Sequence, residues 1–269
     1  MMQKTTFHLL FGFLLLPMLT GAQGMINGFM NPKGTLDIAP GYGYEHFDEY
    51  RFGNETRQRE LTTISYNLFA EYSMTDHGSL VINIPYLYIN ENINGVQDGS
   101  IFIKIRNGLR EFSSGRLNTI TAVGLTTPLS AYPTTVETPI GYGAVQFQGR
   151  LALQYNTDYG FFFHLQSGAD FRFLSPLQTS IPVLARMGFG NAHYFVEGWV
   201  EWYNTLNNAV DQQITGGSGS DWTRLGATLY IPVYKGIGLA GNLAYITGGR
   251  NIGLSSRYGF SLVYRYQSR

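Results

Sequence analysis

The residues that could carry chemistry are charged and amide side chains that recur at every second position of extended segments. Rows of this kind can brace a wall through ion pairs, or line a path that selects solutes as charge rings do in pores. We expect a mixture of the two roles. The candidate site residues are Lys104, Arg106, Gln146, Gln148, Arg150, His164, Gln166, Asp170, Arg172, Arg186, Glu197, Glu201 and Arg224.

Sequence motifs for catalysis, cofactor binding and metal binding are lacking. His46, His77, His164 and His193 lie far apart, and none belongs to a metal-binding pair of the HExxH type. There is no G-x-S-x-G elbow, P-loop or dinucleotide fingerprint. A serine hydrolase such as a lipase would need a serine beside a histidine, and no serine is predicted beside His46. We therefore predict no catalytic, cofactor-binding or metal-binding residues, and no enzyme.

Polar and apolar residues alternate along most of the chain, which indicates strands and not helices. In residues 145–156, one face carries Val, Phe, Gly, Leu, Leu and Tyr, and the other carries Gln, Gln, Arg, Ala, Gln and Asn. After a tight turn the pattern returns in 161–173. Such runs predict twelve strands, at roughly 34–46, 60–74, 79–89, 99–112, 117–128, 143–156, 161–173, 180–190, 194–204, 221–233, 237–247 and 253–266.

The connections between these strands alternate between short and long. Short joints lie near residues 76–78, 113–115, 158–160, 190–192 and 235–236, and the connections near 47–59, 90–98, 129–142, 174–179, 205–220 and 248–252 are mostly longer. An even strand number with short turns at one end and longer loops at the other is typical of bacterial outer-membrane barrels. Strands 79–89 and 117–128 alternate poorly, so the count of about twelve is open by two strands.

The composition supports the same fold class, an all-β transmembrane antiparallel barrel. Charged residues make up 13% of the chain, against ~25% in ordinary globular proteins, while aromatic residues reach 15% and there are 33 glycines. Mean hydropathy is nevertheless only −0.08, as expected when one face of each strand meets lipid and the other meets water. A formal net charge of zero disfavours nucleic acid as a partner.

The N-terminus has the three-part layout of a secretory signal peptide. Lys4 precedes an apolar stretch at 7–19, and the small residues Thr20-Gly21-Ala22 follow it. The apolar stretch is shorter than the ~20 residues of a membrane-spanning helix. We therefore expect a signal peptide at 1–22 and one barrel domain at 23–269. The chain contains no cysteine, which excludes disulfides and a lipidated cysteine.

Two arguments place the apolar face outside the predicted barrel. Eight strands already enclose an interior that side chains fill, so twelve strands enclose more space than apolar side chains could occupy. Aromatic residues also fall near both predicted rims, with aliphatic residues between them, as at two membrane interfaces. The aromatic residues include Tyr155, Phe161, Tyr194 and Tyr264 at the inner rim and Tyr42, Tyr86, Phe171 and Trp202 at the outer rim.

Short motifs resemble one family of such barrels. The stretch 97–104, Gln-Asp-Gly-Ser-Ile-Phe-Ile-Lys, is similar to a strand start in the phenol-degradation meta-pathway outer-membrane proteins, which are related in role to the long-chain fatty-acid transporters. Gly-Leu-Thr-Thr-Pro at 124–128 and Pro-Ile-Gly-Tyr-Gly at 139–143 also resemble segments of that family. The likeness covers about residues 60–173. It implies the uptake of small solutes that are apolar or aromatic.

We expect a monomeric channel or transporter in the outer membrane of a Gram-negative bacterium, passing small molecules through a narrow, polar, arginine-lined lumen. Its expected partners are outer-membrane lipid and a small-molecule solute, with no cofactor and no nucleic acid. We also expect a basic side of the bore, carrying Arg150 and Arg172, to face an acidic side carrying Glu71 and Glu197. The alternatives are a structural or adhesive surface barrel without transport, and an outer-membrane lipid-modifying enzyme. The solute, the openness of the bore and its gating stay open.

Overall fold

A computed structural model describes residues 26–53, 55–90, 93–134, 139–207 and 219–267. The predicted signal peptide lies outside this range. No helix among the described residues is long and apolar enough to cross a membrane. The strands are β1 (Thr35–Phe52), β2 (Glu55–Thr75), β3 (Gly78–Ile89), β4 (Ile93–Val96), β5 (Asp98–Phe112), β6 (Gly115–Pro128), β7 (Gln146–Thr157), β8 (Phe161–Arg172), β9 (Gln178–Gly190), β10 (Phe195–Thr205), β11 (Asp221–Tyr234), β12 (Ile237–Arg250), β13 (Ile252–Gly253) and β14 (Ser256–Gln267).

Twelve of these strands form a closed antiparallel barrel. Each pairs with its neighbours along the chain, and β1 closes the ring by pairing with both β2 and β14. The short strands β4 and β13 add to β3 and β1 outside the ring. Closure leaves no free sheet edge, so the backbone groups of the wall can be satisfied within the hydrocarbon region of a bilayer. The predicted fold class and strand number are both confirmed.

The outer surface of the barrel is apolar around its middle. Leu151, Leu165 and Leu243 are among its most exposed side chains, with more than half of their surface accessible. An apolar surface of this extent marks a contact with a membrane or with another protein, and an apolar band on the outside of a closed barrel is typical of outer-membrane proteins. Aromatic rings cluster above and below it, with Tyr66 5.7 Å from Tyr42 and 6.1 Å from Tyr88, and with Phe189 near the opposite rim. The predicted orientation of the two faces is therefore confirmed.

One predicted loop is instead a pair of strands. Residues 47–59 were expected to form an outer loop, but β1 and β2 continue through this region and pair up to Phe52 and Glu55. Beyond the membrane neither face of a hairpin has to be apolar, so backbone pairing continues while the alternating pattern that indicates a strand disappears. Similarly, β4 lies within the predicted loop 90–98.

The weak alternation of β3 and β6 has a structural cause. Val81 of β3 and Ala122 of β6 point into the barrel and are almost completely buried, together with Phe102 of β5. They pack against Ile26, which precedes the first strand. The inner faces of β3 and β6 are apolar at this point because they contact the apolar side chain of Ile26 inside the lumen. Both faces of these strands therefore carry apolar residues, and the alternation is weak.

Candidate functional site

The segment of residues 26–31 lies inside the barrel, and we call it the plug segment. Ile26 is only 1% exposed and packs against the apolar inner patch of β3, β5 and β6. Lys104 Nζ donates to Asn27 Oδ1 at 3.1 Å and to the Phe29 carbonyl oxygen at 2.8 Å. Arg186 Nη2 donates to the Ile26 carbonyl oxygen at 3.3 Å. The barrel wall thus binds this segment through both its backbone and its side chains.

Aromatic contacts hold the plug segment near the inner end of the bore. The Phe29 ring lies 5.1 Å from that of Phe162 and 5.8 Å from that of Phe195, both in edge-on geometry. Phe162 and Phe195 stack on each other at 5.3 Å. Both residues stand at the start of their strands, next to the short turns. Edge-on and offset rings stabilise such a cluster by about 0.5–1.5 kcal/mol per pair beyond burial, so the segment is firmly seated.

The lumen charges form ion pairs between side chains of the wall. Lys104 Nζ lies 2.6 Å from Glu71 Oε1, and the two side chains are 0% and 4% exposed. The other inner pairs are Arg150–Asp170 at 2.5 Å, Arg186–Glu197 at 3.7 Å, Arg224–Glu201 at 2.6 Å, Arg257–Glu45 at 3.6 Å and Arg265–Asp37 at 2.7 Å. Acids and bases are therefore interleaved, and the separate basic and acidic sides that the sequence suggested do not form.

A cavity of about 1170 Å³ lies in the lumen. Of the thirteen predicted site residues, ten line it: Arg106, Gln146, Gln148, Arg150, Gln166, Asp170, Arg172, Arg186, Glu197 and Glu201. The remaining three also point inward but are covered. Lys104 is buried beneath the plug segment, His164 hydrogen-bonds Gln154 Oε1 at 3.2 Å, and the Arg224 guanidinium lies over the Trp222 ring.

The described residues between β6 and β7, 129–134 and 139–145, contact the outer half of the bore. The Tyr142 backbone N–H donates to Asp98 Oδ2 at 2.9 Å, and the Tyr132 hydroxyl donates to the other oxygen of that carboxylate. Ile140 is buried in a cluster with Leu87. These contacts hold the Tyr142 side chain where it lines the cavity, so the loop narrows the path from the outside.

Arg172 is the central cation of this outer half. Its Nε donates to Gln146 Oε1 at 3.1 Å and its Nη1 donates to Gln178 Oε1. Its guanidinium carbon lies 3.3 Å from the centre of the Tyr142 ring. Within the described parts of the chain no carboxylate lies within ion-pair distance of Arg172, and its direct partners are two amides and an aromatic ring.

A group of aromatic side chains on β10 and β11 also faces the lumen; the alternation of β10 predicts Trp199 there, between Glu197 and Glu201, but Tyr203 and Trp222 were not among the predicted residues. The rings of Tyr203 and Trp222 stack at 5.3 Å with an interplanar angle of 5°. The Arg224 guanidinium lies 4.7 Å from the Trp222 ring centre and 5.6 Å from that of Trp199. The signal was present, because Trp199 and Tyr203 alternate with Glu197 and Glu201 on β10, and Trp222 is two residues before Arg224 on β11. The plug segment had no comparable signal, since it is short and lacks alternation.

His46 lies at the outer rim. Its Nδ1 is 2.8 Å from the Thr62 hydroxyl oxygen and its Nε2 is 3.0 Å from Asp48 Oδ1. No serine hydrogen-bonds this imidazole among the residues that the structure describes.

No family model matches this chain, and no curated protein matches it. Among solved structures, an outer membrane channel from Pseudomonas putida F1 is similar, with a TM-score of 0.69, 14% identity, and coverage of 88% of this chain and 97% of that one. The likeness lies in the fold. A NanC porin (TM-score 0.48, 10% identity, 87% and 100% coverage) and the translocator domain of the autotransporter NalP from Neisseria meningitidis (TM-score 0.45, 12% identity, 88% and 90% coverage) are more distant.

The apolar belt and the closed twelve-stranded wall are the architecture of an outer-membrane barrel. The predicted location in the outer membrane of a Gram-negative bacterium is confirmed at this level. The membership of the meta-pathway family has no support from a family model and stays a proposal.

Proposed function

We propose that this chain is a narrow channel that passes small molecules across the outer membrane, with the plug segment as its inner constriction. The observation that supports this function is the cavity of about 1170 Å³ in the lumen, which is lined by polar, charged and aromatic side chains from most strands of the barrel. A barrel of twelve strands encloses space in any case, and the polar groups directed into this space are what suit a passing solute. The fold shared with an outer membrane channel of Pseudomonas putida F1 is consistent with the proposal.

The lining favours a small solute that combines an aromatic or apolar part with a polar group. Tyr203 and Trp222 line one side of the outer half with their stacked aromatic rings, and Arg172 with its amide partners offers hydrogen-bond donors on another. Aromatic faces and guanidinium groups both interact favourably with π systems. The resemblance to the meta-pathway barrels points to the same class. In this proposal the thirteen candidate residues either line the path of the solute or hold the lining side chains in place.

The lipid contact and the monomeric state belong to the same proposal. The exposed leucines and other large apolar side chains of the outer belt come from many different strands of the barrel. Such a belt fits lipid on every side better than a partner subunit on one side. The proposed mechanism involves no cofactor, because passive passage of a solute needs only an open path, groups that bind the solute weakly and a constriction that can widen.

Swelling of liposomes that contain the purified barrel tests the function. We expect swelling in isosmotic glutamine and phenylalanine but little in the trisaccharide raffinose, because the two constrictions exclude large solutes. Arg172→Ala should speed the entry of both amino acids, since it removes a long side chain from the outer constriction. Arg57→Ala, which alters an exposed ion pair with Glu55 on the outer hairpin, is the matched control and should not change the rates.

Swelling no faster than that of liposomes with heat-denatured protein would remove the channel proposal and favour a structural or adhesive barrel. Equal rates for Arg172→Ala and the wild type would leave a channel whose path avoids Arg172.

A further inference from the structure

We propose that the protruding ends of β1 and β2 carry a binding site for one divalent transition-metal ion, with His46, Asp48 and Glu60 as its ligands. An imidazole nitrogen and one oxygen from each carboxylate lie within 4.8 Å of one another. The site is on the outside of the wall, away from the lumen, and does not depend on channel activity. Zn²⁺ is the ion that best fits this mixture of one nitrogen and two oxygen donors.

A β-bulge brings the three side chains together. The pairing of β1 with β2 passes from Phe47 opposite Leu61 to Glu49 opposite Gln58, so a single residue of β1 faces two residues of β2. That single residue is Asp48, and Glu60 is one of the two that oppose it. Bulges redirect side chains and recur at functional sites. Here the bulge brings the carboxylates of Asp48 and Glu60 close to His46, which lies two residues before Asp48 on β1.

The imidazole of His46 is held in the orientation that a metal ligand needs. Its Nδ1 lies 2.8 Å from the Thr62 hydroxyl oxygen, and the ring stacks on Tyr44 with centres 6.4 Å apart. As the atoms lie, Nε2–H donates to the Asp48 carboxylate and Nδ1 accepts from the Thr62 hydroxyl. Metal binding uses the other tautomer, in which Nδ1–H donates to Thr62 and the lone pair of Nε2 binds the ion. A second hydrogen bond that fixes the free nitrogen is the usual arrangement of metal-bound histidines.

The distance between the donor atoms fits a shared ion. His46 Nε2 and Asp48 Oδ1 are 3.0 Å apart, whereas two ligands bound to one tetrahedral Zn²⁺ at about 2.0–2.2 Å are about 3.4 Å apart, so these two groups would separate slightly to admit the ion. A carboxylate oxygen of Glu60 lies within 4.8 Å of the ligand atoms of both residues and would be the third ligand. A neutral imidazole and two carboxylates carry two negative charges, which a divalent cation balances.

The position of the site explains how an ion could reach it. His46 is two residues beyond Tyr44 on the outward face of β1. It lies beyond the cluster of tyrosine side chains at the outer rim, which is formed by Tyr42, Tyr66 and Tyr88. The Asp48 side chain is 69% exposed, so the fourth coordination position is open to water. A bound ion would tie the two strands of the outer hairpin together where they leave the membrane.

Equilibrium dialysis and titration calorimetry with Zn²⁺, on the full barrel in metal-free detergent buffer, test the site. We expect one ion per chain for the wild type. His46→Ala and Asp48→Asn should each weaken binding by at least about tenfold, since altering even a supporting residue of a metal site costs 10–100-fold. His193→Ala, which changes an exposed histidine at an inner turn, should bind like the wild type.

Co²⁺ provides a second measurement, because its visible absorption reports a nitrogen and oxygen ligand set directly. A shift of the unboiled band on a gel shows for each variant that the barrel is folded. Absence of stoichiometric Zn²⁺ binding by the folded wild type would overturn the site. So would equal binding by His46→Ala and His193→Ala, which would leave only adventitious surface binding.

Discussion

Leu151→Arg should prevent normal assembly of the barrel, whereas Gln148→Arg should assemble. Leu151 is 58% exposed in the middle of the lipid-facing side of β7, and an arginine at the bilayer midplane of a barrel costs ~2–4 kcal/mol. Gln148 is three residues earlier on the same strand but lines the lumen, where its Oε1 accepts a hydrogen bond from Thr126. The two variants introduce the same side chain into the same strand and differ in the face that receives it.

The fraction of folded barrel measures this difference. Cells that express each variant are fractionated, and the outer membranes are run on a gel before and after boiling. The account expects a faster-migrating unboiled band for the wild type and Gln148→Arg, and a strongly reduced one for Leu151→Arg. Equal amounts of folded barrel in both variants would mean that the assignment of the two faces is wrong.

Glu71→Ala should destabilise the barrel by about 3–5 kcal/mol, because it leaves the Lys104 ammonium buried without its counter-charge. The two side chains are 4% and 0% exposed and 2.6 Å apart. Replacing both together, as Glu71→Leu with Lys104→Met, should recover most of the loss, since an apolar pair of similar volume often substitutes for a buried ion pair.

Denaturant midpoints of the barrel refolded in detergent compare the three proteins. The double variant also removes both hydrogen bonds from Lys104 to the plug segment, so its recovery relative to Glu71→Ala is expected to be incomplete. A single variant as stable as the wild type, or a double variant less stable than the single, would contradict this account of the ion pair.

The sequence predicted the strands that meet lipid on one face and water on the other. β7 and β8 were expected at 143–156 and 161–173 and span Gln146–Thr157 and Phe161–Arg172. The physical reason is that one face of each of these strands meets lipid and the other meets water, so apolar and polar residues alternate along the strand. Strands whose two faces have the same kind of surroundings do not show this alternation. The outer hairpin has water on both sides, and β3 and β6 face the apolar side chain of Ile26.

The lumen was predictable in its residue types and not in its contacts. Alternation identifies the side chains that point inward, and most of the predicted set lines the cavity. It cannot pair them, since Lys104 on β5 reaches Glu71 on β2 across the intervening β3. The His46 site likewise depends on a bulge, because alternation alone places Asp48 and Glu60 without the displacement that brings their carboxylates together.

Single-channel conductance in planar bilayers tests whether the barrel is a channel whose inner constriction is the plug segment. The wild type is compared with a variant in which residues 26–31 are replaced by a glycine–serine stretch of equal length, with both proteins shown to be folded by the shift of the unboiled band. We expect a small conductance for the wild type and a several-fold larger one for the variant, because the variant lacks the side chains of residues 26–31 that occupy the inner half of the bore. Identical conductance in the two folded proteins, or none in either, would contradict this expectation.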